Sequence, residues 1–384
     1  MIPPISKRIW GALTSLQLTI LCLALLMALV VLCTLAQVEL GTLGAVNKYM
    51  RGFLVWWKPE GAAFNFPVFP GGALVGLALT VNLTAALIKR FDFNWQKTGL
   101  WIMHLGLILL IAGEFVAGAF QVDTRMTIHE GQTVDYLESY RDTELAVKDI
   151  TDSRNPEVHG IPAARLAKGG VIALPGSPLS IKVHRYYVNA NVGPRETSEA
   201  PQATMGVGAN ARVTELPPVS AEDQMNLTTA LIEPMAGGKS YGIWLTSLGL
   251  GAPQTFIHEG RTYLLSMRIQ RHNLPYSLTL KKFSHDLYPG TNIPKNFSSL
   301  VHLSNPATGE ARDVLIYMNQ PLRYQGRTFY QSGYEGETIT ILQVVQNPGW
   351  LLPYISCVVV TLGMLIHFAL ALRRSLTRKS KETA

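Results

Sequence analysis

Cysteine is nearly missing from this sequence: 384 residues contain three, Cys22, Cys33 and Cys357. All three lie inside long apolar stretches, which leaves the polar part of the chain without a disulfide framework, a zinc ribbon or a C-x-x-C redox pair. C-x-x-C-H is absent as well, so the chain does not carry covalent c-type haem itself. A phosphate-cradling glycine loop is also missing, and with it the means to draw energy from a nucleotide. Nucleophile–base arrangements and paired carboxylates are not seen, so no catalytic residue is expected.

Long apolar runs are what the chain does have. Four stretches, 13–36, 66–88, 99–120 and 350–372, reach the roughly 20 residues that a helix needs to cross a bilayer. The first is too long for a signal-peptide core of about 7–15 residues and no A-x-A site follows it, so it reads as an anchor. Lys7 and Arg8 precede the first run; Lys89, Arg90 and Lys97 fill the short link between second and third; Arg373, Arg374, Arg378, Lys379 and Lys381 follow the fourth. By the positive-inside rule these clusters are cytoplasmic, which puts both termini inside and the long 121–347 segment outside. Ten of the 33 basic residues belong to these clusters, whereas residues 121–346 hold 20 basic against 21 acidic. The net charge of +7 is therefore an orientation signal, and no nucleic-acid partner is expected.

The domain organisation expected is a membrane region over 1–120, an exported β domain over 121–347, a last span over 350–372 and a basic tail over 373–384. Ile181-Lys-Val-His-Arg-Tyr-Tyr-Val188 and Tyr263-Leu-Leu-Ser-Met-Arg-Ile269 alternate with the two-residue period of strands that bury one face. Ser277–Phe283 and Thr338–Val345 look alike, and the whole reads as an all-β, sandwich-like domain. Residues 189–238, rich in Gly, Pro, Ala and Ser, read as long loops. Ile128-His-Glu-Gly-Gln-Thr133, Ile257-His-Glu-Gly-Arg-Thr262 and Tyr324-Gln-Gly-Arg-Thr328 carry one turn pattern, and three hairpins are expected from it. Residues 37–65, with Tyr49, Trp56 and Trp57, read as an interfacial loop with an aromatic anchor.

His104 stands inside the third run. An ionisable side chain costs free energy in hydrocarbon, so it suggests an ion path, a proton relay or a cofactor ligand, and imidazole is a common ligand of haem iron. His367 lies in the fourth run at a similar distance from the cytoplasmic face and is the lesser candidate, because a side chain so close to a helix end can reach the headgroups. If the two helices are adjacent, the pair can bind haem within the chain. Glu114 is the only acidic group in a run and is assigned a structural or interface role. The seven histidines of the large segment show no metal-ligand spacing and read as surface or edge-strand residues.

The chain resembles the ResB (CcsB) family of system II cytochrome c biogenesis proteins. The resemblance rests on Thr14-Ser-Leu-Gln-Leu-Thr19, Cys33-Thr-Leu-Ala-Gln37 and His104-Leu-Gly-Leu-Ile-Leu-Leu in the apolar runs. In the polar part it rests on Leu274-Pro-Tyr-Ser-Leu-Thr-Leu280, Tyr288-Pro-Gly-Thr291, Met318-Asn-Gln-Pro-Leu322, Gln325-Gly-Arg-Thr-Phe-Tyr-Gln-Ser332 and Gln346-Asn-Pro-Gly-Trp350. One departure is Cys33-Thr34, where Gly-Thr is usual. The resemblance implies a subunit, not catalytic alone, of a haem-lyase complex in the bacterial inner membrane. It would carry haem across and support its attachment to the C-x-x-C-H motif of an apocytochrome c. It also implies a separately encoded ResC/CcsA-type partner that supplies the tryptophan-rich haem motif missing here, and a transient haem b shared between a partner histidine and His104 as axial ligand to the iron. Two other readings stay open: a membrane b-type haem electron carrier, and a cofactor-free membrane-anchored binding module.

Overall fold

The computed structural model describes residues 5–59, 64–89, 94–152, 157–196, 198–219, 224–290 and 294–382. They fall into two compact units, one from Met1–Val122 and Asn347–Ala384, the other from Asp123–Val219 and Asp223–Gln346.

Five helices build the first unit: α1 (Ile5–Leu13), α2 (Leu16–Ala45), α3 (Gly72–Lys89), α4 (Thr98–Phe120) and α5 (Leu352–Glu382). Four segments are long and apolar enough to cross a membrane: Leu16–Thr42, Gly72–Lys89, Trp95–Phe120 and Leu352–Thr377. This is a membrane protein. The first span begins later than residue 13 because the chain breaks at Thr14 and Ser15. The Thr14 hydroxyl turns back to Trp10 O at 2.8 Å, and Ser15 Oγ accepts from Leu18 N at 3.2 Å, capping α2. That helix also runs beyond residue 36, so its span takes in a second carboxylate, Glu39, besides the Glu114 expected in α4.

The second span starts at Gly72, six residues after the expected start. Phe66–Pro70 is extended and pairs antiparallel with Leu54–Trp57. Pro67 and Pro70 lack the N–H that a helix needs and hold their predecessors extended. The entry is crowded: a β-carbon on Gly71 would stand 2.0 Å from Gly52 O, and one on Gly72 2.5 Å from Met50 O. The expected aromatic loop is thus a hairpin, with Trp56 and Trp57 both exposed. Residues 60–63 lie outside the described residues.

Helices α4 and α5 pack at very short range. Gly99, Gly106 and Gly113 recur every seven residues on one buried face of α4. Opposite them lie Gly363 and His367, then Ser356 and Val360, then Leu352. Small residues at this period let backbones touch, which drives helix association where hydrocarbon surrounds everything equally.

The second unit is all β. Its larger sheet has ten strands, with Glu310–Tyr317, Pro294–Asn305, Arg261–Leu287, Thr133–Asp149, Val122–His129, Ile339–Gln346, Arg327–Glu335 and Leu322–Tyr324 in spatial order. Gln254–His258 and Glu157–Pro162 add to its sides. Met126, Leu137, Tyr276, Leu303, Ile316, Phe329 and Val344, contributed by strands across the whole sheet, make one buried cluster, so the sheet curls round its own core. The far half of its long strands instead buries Leu145, Val147, Leu265 and Met267 against Ile181, Ile232 and Trp244 of a five-stranded sheet. The expected sandwich is therefore one half of the unit, and a curled near-barrel is the other.

All three expected hairpins form. Glu259 and Gly260 have φ of 49° and 77°, and Gln325 and Gly326 of 45° and 74°. Two successive positive φ values are the twist that two-residue hairpins favour. The expectation of long loops over 189–238 fails in part. Ala190–Pro194 pairs with Ala211–Glu215, and Thr229–Ala236 lies between Leu179–Tyr187 and Trp244–Ser247 in the smaller sheet. That strand shows no alternation because both faces are covered: Ala230 and Ile232 face one core, Leu231 another. Pro234 is tolerated since it falls in the gap between two ladders, at Ile232↔Trp244 and Met235↔Ser240.

Candidate functional site

His104 sits two turns into α4, and its Nδ1 lies 2.7 Å from Leu100 O. A carbonyl can only accept, so Nδ1 carries the proton and Nε2 is the nitrogen available to a ligand. Of α4's two sides, one is committed to α5 through the glycines. His104 is five residues beyond Gly99 and two before Gly106, which at about 100° per residue turns it some 140–160° from that contact.

It faces a groove of about 420 Å³ instead. Leu100 and Trp101 of α4, with Lys97 at its N-cap, form one wall; Asn82, Leu83, Ala86 and Leu87 of α3 form another; Thr14, Ser15, Leu16 and Thr19 at the α1–α2 break close it. The break and the groove have one cause. Interrupting a helix leaves carbonyls without donors, which is costly where water is scarce. Asn82, 1% exposed, reaches across from α3 and donates to Leu13 O at 2.7 Å and Ser15 O at 3.1 Å, while its own Oδ1 accepts from Thr19 Oγ1 at 2.6 Å. At the same place Lys89 Nζ donates to Thr14 Oγ1 at 2.8 Å. Sequence reasoning missed Asn82 and the break. The signal was there in a buried amide inside an apolar run, opposite a Thr-Ser pair that can end a helix.

The structure brings α4 and α5 together but not their histidines. The backbone of His367 packs on Gly99, and a β-carbon there would stand 2.4 Å from His367 N. The His367 ring lies 5.7 Å from that of Phe368, and its Nδ1 is buried without a hydrogen-bond partner among the described residues. It does not line the groove that His104 faces. Glu114 is exposed in the C-terminal half of α4.

In the β unit His159, His184, His258 and His302 pair with acids or with tyrosine. His184 Nε2 meets Glu233 at 2.7 Å and His302 Nδ1 meets Asp313 at 2.7 Å. His258 closes a strand that pairs on one side only, yet its ring is buried and hydrogen-bonded to the Tyr241 hydroxyl. The Ser240 hydroxyl, then His184 and Lys182, hold the Glu233 carboxyl below the usual carboxylate range, and Thr151 does the same for Asp149, helped by Arg261. Among the described residues no cluster of three or more His, Cys, Asp or Glu is placed to hold a metal ion.

A protein that handles haem needs an imidazole with a free nitrogen at an apolar surface. His104 has a fixed Nδ1–H, an available Nε2, and Leu83, Ala86, Leu87, Leu100 and Trp101 beside it. These residues fit one axial ligand; no second histidine lines the groove among the described residues.

Residues 242–340, within the β unit, match the family model described as the ResB-like family. A stretch of 93 residues is 39% identical to Protein NrfI of Wolinella succinogenes, covering 24% of this chain and 10% of that protein. The match thus spans about a tenth of the relative's length. The Leu274–Leu280, Met318–Leu322 and Gln325–Ser332 motifs all lie inside the matched residues, so over 242–340 the chain is similar to the ResB-like family.

Proposed function

We propose that this chain is a cytochrome c maturation subunit. It works with a ResC/CcsA-type membrane partner to move haem across the bilayer and support its attachment to an apocytochrome c. The observation that carries the reading is His104: an imidazole within a span, with Nδ1 tied to Leu100 O at 2.7 Å and Nε2 left for a ligand, beside an apolar groove. The ResB-like residues 242–340 supply the family context. His104 would hold a transient haem b by its iron, together with a histidine of the partner.

Haem, when bound, supplies an iron and two vinyl groups, and the thiols that add to those vinyls belong to the apocytochrome. No nucleophile is needed from this chain. Its own work is to hold, orient and release, which fits a subunit without catalytic residues. In this reading both termini lie on the cytoplasmic side of a bacterial inner membrane and the β unit outside, and the basic ends of the spans support that orientation. A reading as a b-type electron carrier would need two facing histidines, whereas His104 turns away from the helix that carries His367.

The test is to purify the chain with its partner and compare His104→Gly with His367→Ala. Loss of haem and of cytochrome maturation in the His104 variant, partly restored by added imidazole, is the expected result. Unchanged haem in that variant refutes the ligand role, and equal loss in both variants favours an internal pair. A reporter active only outside the cytoplasm should work when inserted between Gly237 and Gly238, an open turn, and fail after Ala384. Activity at the C-terminus overturns the topology.

A further inference from the structure

We propose that the His104 groove is a site for a tetrapyrrole dicarboxylate and binds the carboxylate edge of the ring at its Lys97 end, with Lys89 as the second cation. The inference rests on the reading of His104 as a haem ligand and adds the orientation of the ring and the residues that set it.

Lys97 and His104 are seven residues apart and both line the groove. Lys97 is the residue that caps the start of α4 and His104 lies seven residues further on, so the two are about 10 Å apart along the helix axis. That is the order of length separating the metal at the centre of a porphyrin from the carboxylates at its edge. An axial nitrogen meets a porphyrin perpendicular to its plane, so a ring held by a side chain standing off α4 extends along that helix. Leu100 and Trp101 lie between the two residues, and Leu83, Ala86 and Leu87 of α3 stand across from them. This apolar middle suits the ring, and a charged end suits its two carboxylates.

The charge at that end is not from Lys97 alone. Lys89 closes α3, eight residues before Lys97 opens α4, and its Nζ donates to Thr14 Oγ1, a group of the groove wall, at 2.8 Å. No acidic residue lines the groove among the described residues. Two ammonium groups therefore sit where the groove ends, and ammonium–carboxylate hydrogen bonds are the strong kind where water is scarce. The opposite orientation would bury two carboxylates in the span against apolar side chains, which is costly without partners.

The experiment titrates the full chain in detergent with ferric protoporphyrin IX and, separately, with its dimethyl ester, which lacks the two charges. Absorption in the Soret band reads binding and axial ligation. The wild type should bind the diacid at least about tenfold more tightly than the ester, a step worth 1.4 kcal/mol. Lys97→Gln should remove most of that preference with the ester affinity unchanged, Lys97→Arg should keep it, and Lys89→Gln should reduce it. His104→Gly should weaken both ligands alike and abolish the nitrogen-ligated spectrum. Equal affinity of the wild type for the two porphyrins, or a Lys97→Gln variant that loses both equally, overturns the orientation and leaves the role of His104 standing. A wild type that ligates neither porphyrin overturns both.

Discussion

Replacing Gly99 by alanine should force α4 and α5 apart. A β-carbon there would stand 2.4 Å from His367 N, 2.6 Å from Gly363 O and 2.7 Å from His367 Cα. These are backbone atoms, so no rotamer change relieves the overlap. Ordinary contact begins at 3.4 Å, which leaves the nearest pair short by 1.0 Å, and the only adjustment is to move a helix. Overpacking on this scale costs about 1–3 kcal/mol. The proper control is Gly118→Ala, on the same helix, where a β-carbon meets nothing within 4 Å. Both variants gain the same helix propensity, up to about 1 kcal/mol over glycine. Their difference therefore reports the interface alone, and it should be about 2 kcal/mol in favour of the Gly118 variant. Thermal unfolding of the full chain in one detergent, followed by far-ultraviolet circular dichroism, measures it. Equal stability of the two variants would refute the close packing of α4 on α5.

Two more outcomes follow from named contacts. Asn82→Leu removes three hydrogen bonds and leaves the Leu13 and Ser15 carbonyls, at the start of the first span, without their donor. At roughly 0.6 kcal/mol for an interhelical bond in a membrane, plus the unpaired carbonyls, it should cost about 2 kcal/mol or more. Limited proteolysis should then cut at Thr14–Ser15 faster than in the wild type, and an unchanged rate would argue against the Asn82 bridge. Glu233 and Asp149 contribute to the pH dependence of the β unit, because their carboxyls are held below their usual range by Ser240 and His184 and by Thr151. A depressed folded pKa gives stability that is present above the unfolded value of about 4 and is lost as pH falls through the folded one. The stability gap between wild type and a Glu233→Gln variant should therefore narrow as pH falls below about 4; a gap independent of pH from 6 to 3 would contradict the assignment.

What the sequence made legible follows physical periodicity. Apolar runs of bilayer length revealed four spans, because in hydrocarbon only length and polarity matter. The turn pattern at Gly131, Gly260 and Gly326 revealed three hairpins, since those positive φ values are strained for most other residues. The failures are as physical. Phe66–Pro70 looks apolar enough for a span, and only its prolines and the crowding at Gly71 and Gly72 make it a hairpin strand. Thr229–Ala236 escaped because a strand covered on both faces loses the period of two by which strands are read. His104 was legible as an ionisable group in a span. Its groove was not, because the groove depends on Asn82 mending a helix break 67 residues away at Ser15.

The two sides of α4 explain why the candidate site can be so lightly built. One side is spent on glycine contacts that fix the helix against α5 to within a methyl group, as the 2.4–3.0 Å approaches at Gly99, Gly106 and Gly113 require. With that side fixed, the direction of every residue on the other is fixed too, His104 included. Its imidazole is then locked by one bond to Leu100 O and needs no second side chain to orient it. In the reading proposed above, the second ligand would come from the partner. A single preset ligand holds a cofactor more weakly than two would, and weak, oriented holding is the property a carrier needs if it is to hand its cargo on.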